Sequence, residues 1–123
     1  MTCIPKVLIA LVVSLPVVSV ANAQAPATAF DGQYTGMSAQ VSKANEVAPR
    51  CPGERTPDAL SIANGVISST GASRWSGTVS PQGAVVVRNR AHQLVNGTID
   101  AQGTLTGEYH GPACNVTYVW RKQ

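Results

Sequence analysis

The chain has 123 residues, nine Lys and Arg, six Asp and Glu, and a formal net charge of +3 at pH 7. A charge this weak does not indicate a nucleic-acid partner, because proteins that bind nucleic acids carry strongly basic surfaces. The length is enough for one domain with a small core, and the abundance of Gly, Ser, Thr, Asn and Val favours strands and turns over helices.

Residues 1–23 have the pattern of an export signal. Lys6 precedes an apolar run over residues 7–20, and Ala21-Asn22-Ala23 matches the small-x-small site of a signal peptidase. The apolar run is shorter than the roughly 20 residues that span a bilayer. We therefore expect cleavage after Ala23 or Ala25, no membrane span once the signal is removed, and a periplasmic or secreted protein.

Two cysteines, Cys51 and Cys114, remain after the signal, and an even number of cysteines in an exported chain predicts a disulfide. A bridge across so long a loop stabilises a fold by about 4 kcal/mol, because it lowers the entropy of the unfolded chain. In this interpretation residues 24–29 are a short flexible lead and residues 30–123 form a single β domain.

The β domain opens with a predicted strand over residues 30–41, and a long irregular segment over residues 42–58 follows it. Long loops on a rigid sheet often carry function, so this segment is a candidate binding surface. Its candidate contact residues are Arg50, Glu54 and Arg55. The plainer alternative is a connection that needs a disulfide because it contains few apolar side chains.

The centre of the domain reads as a series of short hairpins. Asn64-Gly65, within residues 59–70, is typical of a type I′ turn. A repeated phrase over residues 75–83 and 95–103 runs strand, turn, strand, and in each copy a small oxygen-bearing residue opens a turn that a glycine closes. This order predicts a type I turn in which the glycine takes a positive φ at a G1 bulge.

The alternation of side chains along these strands predicts one core. In the repeats Trp75 and Val79 have the same parity as Val95 and Ile99, and the last strand, residues 115–121, continues the pattern. All six aromatic residues fall on this apolar side, as in antiparallel sheets with one solvated face. About eight such strands predict an all-β fold, an antiparallel up-and-down meander that is curled or closed as a small barrel.

Three arginines share the outer face of the first repeat, and a histidine follows them across the next turn. These residues are Arg74, Arg88, Arg90 and His92. Like charges side by side are mildly unfavourable, so the group is a candidate patch for an anion or for an acidic partner surface. The alternative is a set of solvated side chains that only keeps the sheet soluble.

Glu108 and His110 share the outer face of one predicted strand and form a candidate acid–base pair. Neither residue has a nucleophile or a metal-ligand partner at a fixed spacing, and the sequence contains no CxxC or HxH motif. We therefore expect no catalytic residue, no metal site and no cofactor, and we do not expect the protein to be an enzyme.

The domain contains several motifs that also occur in other proteins: Phe30-Asp31-Gly32-Gln33-Tyr34-Thr35-Gly36, Gly77-Thr78-Val79, Gly97-Thr98-Ile99, Cys114, and Trp120-Arg121. In these motifs the chain resembles a loose class of small exported bacterial β-rich proteins of uncharacterised function. The resemblance implies a periplasmic or secreted location and no particular activity. A fainter resemblance to lipocalin-like barrels depends on Gly32-Gln33-Tyr34, where those proteins have Gly-x-Trp, and on Arg121 as a closing cation.

These observations predict an exported protein with a non-catalytic binding or envelope-associated role, whose partner is another envelope or secreted protein. One alternative is a secreted inhibitor of a hydrolase, such as a lysozyme or a protease, that inserts the pre-ordered loop 42–58 into a cleft. Another alternative is a small-ligand carrier, which needs a pocket of at least about 300 Å³ lined by inner aromatic side chains. The last alternative is an enzyme with a minimal site at Glu108 and His110.

Overall fold

The computed structural model describes residues 3, 10–14 and 28–123. The predicted signal peptide at residues 1–23 and the predicted lead at 24–29 lie mostly outside the described residues. Within the described part of the chain there are eight strands and no helix: β1 (Gly32–Lys43), β2 (Leu60–Ala63), β3 (Val66–Ser68), β4 (Ser76–Val79), β5 (Ala84–Arg88), β6 (Leu94–Ile99), β7 (Thr104–His110) and β8 (Cys114–Lys122).

The strands form one closed antiparallel barrel, in which each strand pairs with its neighbours in sequence. β1 also pairs with β8, from Tyr34 opposite Lys122 to Lys43 opposite Cys114, and this pairing closes the wall. Antiparallel neighbours need only short connections, which is why a chain of hairpins reaches this topology directly. The predicted all-β meander, closed as a small barrel, is confirmed. In the described residues no helix combines the length and the apolar character that a membrane crossing requires.

The turn between β2 and β3 has the predicted type I′ geometry. Asn64 and Gly65 both take positive φ angles, 50° and 73°. The carboxylate of Asp31 accepts hydrogen bonds from both of their backbone N–H groups, at 2.8 Å and 3.3 Å. Asp31 of the opening motif therefore caps a turn that lies far along the chain.

Both copies of the repeated turn also have the predicted form. Gly83 donates its N–H to the carbonyl of Ser80 at 2.9 Å, and Gly103 donates to the carbonyl of Asp100 at 3.1 Å. The two glycines have φ angles of 86° and 81°. The side-chain oxygens of Ser80 and Asp100 accept further backbone N–H groups at 2.9 to 3.3 Å, which explains why a small oxygen-bearing residue opens each turn.

A third turn of the same kind joins β5 to β6; the sequence analysis placed a turn before His92 but did not predict its type. His92 donates its N–H to the carbonyl of Asn89 at 2.9 Å and takes the glycine position with a φ of 60°. The side-chain oxygen of Asn89 accepts the N–H groups of Ala91 and Gln93, as Ser80 and Asp100 do in their turns. A histidine replaces the expected glycine here, which concealed the repeat.

Alternate side chains of the strands fill the barrel interior, and four large aromatic residues dominate it: Tyr34, Trp75, Tyr118 and Trp120. Phe30 and Tyr109 are only partly buried, although they pack against the same core. The expectation that all aromatic residues belong to the inner face therefore holds fully for these four and partly for the other two. One contiguous core explains why the domain needs no second layer.

A bulge interrupts β1 and changes which residues face the core. The register with β8 shifts between Gly36 and Ser38, so Met37 is the additional residue. Before the bulge Tyr34 points inward, and after it Ala39 and Val41 pack against the core instead. Side chains alternate between the two faces of a strand, so one extra residue moves every later side chain to the opposite face. The inward-facing residues of β1 therefore have even numbers before the bulge and odd numbers after it.

The predicted disulfide between Cys51 and Cys114 is present, with a Cα–Cα distance of 5.8 Å. Cys114 begins β8, and Cys51 lies in the connection between β1 and β2. The bridge therefore ties the longest loop to the strand that closes the barrel. A disulfide is compatible with an exported protein in an oxidising compartment.

The two ends of the barrel differ in their connections. One end, called the turn end here, carries the tight turns at residues 64–65, 80–83 and 100–103. The opposite end, the loop end, carries the connections at residues 44–59, 69–75, 89–93 and 111–113. Successive antiparallel strands alternate in direction, so every second connection must lie at the loop end.

Candidate binding site at the loop end

All the charged residues that the sequence analysis proposed for binding lie at or next to the loop end, although they come from different connections. The exposed residues of this set are Arg50, Glu54, Arg55, Arg74, Arg88, Arg90 and His92. The first three belong to the β1–β2 loop, and the others lie at the adjoining ends of β4, β5 and β6. The fold thus joins the two surfaces that the sequence analysis treated separately.

The arginines of the first repeat lie on neighbouring strand ends. Arg88 pairs with Ser76 across β4 and β5, and beyond this pair the N–H of Arg90 donates to the carbonyl of Ser73 at 2.7 Å. Arg74 follows Ser73 and takes a positive φ of 46°. The backbone therefore fixes where these arginines leave the sheet, while their side chains extend into solvent.

The arginines of the loop end carry available positive charge. Within residues 28–123 the one ion pair joins His110 to Glu108, at 3.3 Å, so no described arginine lies within 4.0 Å of a carboxylate. Arg121 and Lys122, at the end of β8, are the basic side chains of the turn end. The loop end carries six of the eight Lys and Arg residues within residues 28–123 and four of the six Asp and Glu residues, and this small excess of positive charge favours an anionic partner surface.

A cleft of about 250 Å³ opens at the loop end between the connections. Three loops and β8 contribute to its wall. Its lining residues are Glu54, Arg55, Thr56, Pro57, Asp58, Ala72, Ser73, Trp75, Asn89, Gln93 and Tyr118. We refer to it as the loop-end cleft.

Two core aromatic residues form the floor of the loop-end cleft. The ring centroid of Trp75 lies 5.1 Å from that of Tyr118 and 5.5 Å from that of Trp120, and both pairs pack edge to face. Trp75 is only 3% exposed, and its Nε1 has no hydrogen-bond partner among the described residues. A buried donor without a partner costs about 1–3 kcal/mol, so this N–H is an unusual feature of the cleft.

The indole N–H of Trp120, unlike that of Trp75, has a hydrogen-bond partner, and this bond holds the end of the β1–β2 loop. Trp120 donates its Nε1–H to the backbone carbonyl of Asp58 at 2.8 Å. The carboxylate of Asp58 in turn accepts the N–H of Ser73 at 3.0 Å. Asp58 therefore connects the end of the β1–β2 loop both to the core and to the β3–β4 loop.

The polar rim of the loop-end cleft includes a positioned amide and a nearby carboxylate. Asn89 donates from Nδ2 to Oε1 of Gln93 at 2.7 Å, which orients the Gln93 amide. Burial, with smaller contributions from the negative charges of Glu54 and Tyr109, raises the pKa of Tyr118 from 10.0 to about 12. The Tyr118 hydroxyl is therefore a neutral donor and acceptor at any physiological pH.

A second cavity of about 310 Å³ lies at the turn end. It is lined by Ala29, Phe30, Tyr34, Asp100, Ala101, Gln102, Gly103 and Lys122. Two of its polar side chains have partners, since Tyr34 donates to the carbonyl of Phe30 at 2.6 Å and Asp100 accepts turn N–H groups. Burial and the Asp31 charge raise the pKa of Tyr34, which keeps this hydroxyl protonated. The turn-end cavity reaches the volume set above for a small-ligand carrier, and two aromatic residues, Phe30 and Tyr34, line it.

Glu108 and His110 are in mutual contact, as the minimal enzyme site required. Both side chains are largely exposed, and neither lines a cleft described above. Among the described residues, no group of three or more His, Cys, Asp and Glu side chains is arranged to hold a metal ion. Glu108 and His110 therefore contact each other on the protein surface, outside both clefts in which a substrate could be enclosed.

The sequence analysis assigned Trp75 and Tyr118 to the core and overlooked Asn89 and Gln93 as cleft residues. The missed signal was the turn pattern, because Asn89 precedes His92 at the same spacing as Ser80 precedes Gly83. Comparison with protein-family models, with characterised proteins and with solved structures gives no match. The geometry of the loop end is therefore the basis of the functional argument.

Proposed function

We propose that this chain is an exported, non-catalytic binding protein that uses the loop end of its barrel to bind another envelope or secreted protein. One observation carries the proposal: the fold brings the β1–β2 loop and the arginines of the first repeat to the same end. The side chains of these arginines are exposed and form no ion pair within residues 28–123. The disulfide holds the long loop against β8, so little order is lost on binding.

The charge of the loop end indicates an acidic partner surface. Exposed arginines without nearby carboxylates increase the rate at which a protein meets an acidic surface, and this effect weakens with added salt. Arginine is also enriched in the energetically important part of protein interfaces. We therefore expect binding that is faster and tighter at low ionic strength.

The test is a pull-down of the disulfide-bonded protein from periplasmic extract, followed by identification of the captured protein and measurement of its affinity. A triple variant, Arg74→Glu, Arg88→Glu and Arg90→Glu, should reduce affinity by at least about tenfold, because each reversed charge opposes the acidic partner. The matched control is Arg121→Glu, an exposed arginine at the turn end. Equal loss in both variants, or no loss in the triple variant, contradicts the proposed surface.

A second candidate is the hydrolase inhibitor, and the shape of the β1–β2 loop favours it. Val47 is 93% exposed at a turn in which the N–H of Ala48 donates to the carbonyl of Asn45. The side chain of Asn45 accepts the N–H of Val47 at 3.1 Å and stiffens the same turn. An exposed apolar side chain on a stiff, disulfide-tethered loop is suited to insertion into a cleft.

The inhibitor candidate is tested against a panel of lysozymes and serine proteases. Val47→Asp and Arg50→Ser should each weaken inhibition, while thermal unfolding of the variants stays unchanged. Val66→Asp, at an exposed valine of β3 away from the loop, is the control. If the wild-type protein inhibits no enzyme in the panel at concentrations of about 100 μM, this candidate is rejected.

A further inference from the structure

We infer that the loop-end cleft binds a small, neutral, hydroxyl-rich molecule of about the size of a monosaccharide. Glu54 and Arg55 belong both to this site and to the protein-binding surface proposed above, but the site can be tested without a protein partner. It depends on three features: the unpartnered N–H of Trp75, the mixture of donors and acceptors in the cleft wall, and an exposed rim segment that makes no hydrogen bond.

The first feature is the indole of Trp75, whose ring lines the cleft while its Nε1 lacks a partner within residues 28–123. Trp120 provides the internal comparison, because the same group there donates to the carbonyl of Asp58. A ligand oxygen that accepts the Trp75 N–H recovers a hydrogen bond that the protein lacks by itself. Such an acceptor is either a hydroxyl or a carbonyl oxygen.

The second feature is the chemistry of the wall, which matches a ligand with several hydroxyl groups. Tyr118 offers a neutral hydroxyl, and Gln93 offers amide N–H groups that no described residue accepts. Glu54 and Arg55 add one acceptor and one donor of opposite charge. The third charged group of the wall, the Asp58 carboxylate, already accepts the N–H of Ser73. With two carboxylates and one arginine, the wall favours a neutral ligand over an anion.

The third feature is the rim segment at residues 52–56, which follows the disulfide and precedes the buried Pro57. These residues are exposed, and no described hydrogen bond involves them, whereas Cys51 and Asp58 on either side are both anchored. An exposed segment without hydrogen bonds opens at low cost. Nε1 of Trp75 is covered in this structure, so binding requires a movement that uncovers it, and we place that movement in this segment.

The size of the cleft limits the ligand. Its volume of about 250 Å³ lies just below that of pockets for drug-sized molecules, about 300–1,000 Å³. The aromatic floor supplies an apolar surface for the carbon skeleton of a sugar ring, and the rim supplies the polar contacts for its hydroxyl groups. A single ring with several hydroxyl groups fits this arrangement.

The test is ¹H–¹⁵N NMR of the exported, disulfide-bonded protein during titration with D-glucose and N-acetyl-D-glucosamine. The chain has two tryptophans and therefore two indole N–H signals, which Trp75→Phe assigns by removing one. We expect a saturable shift of the Trp75 signal. The Trp120 signal should move far less, because its N–H already donates to Asp58.

An anionic analogue tests this preference of the wall. D-glucuronate should bind at least about tenfold more weakly than D-glucose, since its carboxylate would lie beside the carboxylates of Glu54 and Asp58. If only D-glucuronate shifts the Trp75 signal, the cleft is an anion site and the inference is wrong.

Variants of the wall connect the shift to the cleft. Gln93→Ala and Glu54→Ala should each weaken binding by about threefold to tenfold, the usual effect of one lost hydrogen bond. Gln82→Ala, in an exposed turn at the turn end, is the control and should not change binding. An unchanged Trp120 signal shows that each variant is folded.

Two further results would overturn the inference. One is a Trp75 signal that does not move with either neutral sugar up to about 0.1 M, a concentration that saturates even a millimolar site. The Trp75 N–H would then be directed at the face of a neighbouring ring, in a weak N–H···π contact. The other is an equal response of the two indole signals, which indicates a general effect of sugar on the protein.

Discussion

The indole N–H of Trp120, in the C-terminal half of β8, donates a hydrogen bond of 2.8 Å to the backbone carbonyl of Asp58, two residues before β2. These two residues are 62 positions apart in sequence. The bond fixes the end of the longest loop to the core, and the Asp58 carboxylate extends the connection to Ser73 in the next loop. The loop end of the barrel is therefore organised by Asp58.

Replacing Asp58 tests this connection. Asp58→Ala removes the acceptor of the Ser73 N–H, while the backbone carbonyl that accepts from Trp120 stays in place. The free energy of unfolding should fall by about 1–2 kcal/mol, as expected for loss of one partly buried hydrogen bond to a charged acceptor. Urea denaturation measures the change. Asp58→Asn keeps an acceptor oxygen and should lose clearly less; an equal loss would show that the hydrogen bond is not the cause.

The disulfide between Cys51 and Cys114 should contribute a large share of the stability. The double variant Cys51→Ser and Cys114→Ser should lower the free energy of unfolding by about 2–5 kcal/mol, because the unfolded chain regains the entropy of a long open loop. Chemical denaturation of the variant and of the oxidised wild type measures this. Added reductant should destabilise the wild type to the level of the variant and leave the variant unchanged; a response of the variant to reductant would contradict this explanation.

His92 occupies a backbone conformation that favours glycine, with a φ of 60°. His92→Gly should leave the stability unchanged or raise it by up to about 1 kcal/mol, since glycine adopts a positive φ without steric cost. His92→Val should lower the stability by about 1–2 kcal/mol, because a β-branched residue is strained there. Thermal unfolding gives both values. Equal stability of the two variants would mean that the turn changes its conformation when the residue changes.

Alkaline pH should destabilise the barrel through Tyr118. Its folded-state pKa is about 12, against the ordinary 10.0, so between these values the folded protein retains a proton that the unfolded chain has released. This contribution to stability is complete below pH 10.0 and is lost as the pH rises towards about 12. Tyr34 contributes in the same direction.

Denaturation of the wild type and of Tyr118→Phe across this alkaline range measures the effect. The variant cannot ionise at this position, so its stability should decline less steeply with pH than that of the wild type. Identical slopes would exclude Tyr118 as a source of the alkaline loss. Tyr109→Phe should change the slope less than Tyr118→Phe, because Tyr109 is only partly buried and its charge makes the smallest contribution to the raised pKa of Tyr118.

Asp31 should stabilise the turn end from outside the hairpin that it caps. Asp31→Ala leaves the N–H groups of Asn64 and Gly65 without their carboxylate partner. We expect a loss of about 1–2 kcal/mol in the free energy of unfolding, since hydrogen bonds to charged groups are stronger than neutral ones. Hydrogen exchange of these two amides should accelerate more than that of the Gly83 amide. Uniform acceleration would indicate global destabilisation without a local cap.

Local chemistry is sufficient to predict most of the barrel wall from the sequence. Asn64-Gly65 and the turns closed by Gly83 and Gly103 specify their own backbone conformations, and alternation assigns the inner face of the strands between them. The bulge at Met37 could not be located in this way, since an additional residue shows itself only against the register of the partner strand. The type of the third turn was not predicted because the pattern requires a glycine at the position with positive φ, and this chain has His92 there.

The candidate site was only partly predictable. The charged side chains were identified by type, because a long loop and a row of arginines stand out in any sequence. The closeness of Trp75 to Glu54 and Gln93 did not follow from sequence, since these residues belong to separate connections. Whether an indole N–H has a partner depends on the position of a single carbonyl, and the alternation of side chains carries no information about that.

The sequence by itself determined the strands, the turns at Asn64-Gly65, Gly83 and Gly103, the pairing of the two cysteines, and the inner side of the strands from β4 to β8. These features follow from interactions between residues that are close in the chain, or from a count of two cysteines. Only the tertiary structure decided that β1 closes on β8, that the arginines and the long loop share one end, and that a cleft opens between them. Closure decides these relations because it brings together groups that no local rule connects, and their final distances depend on the packing of the whole core.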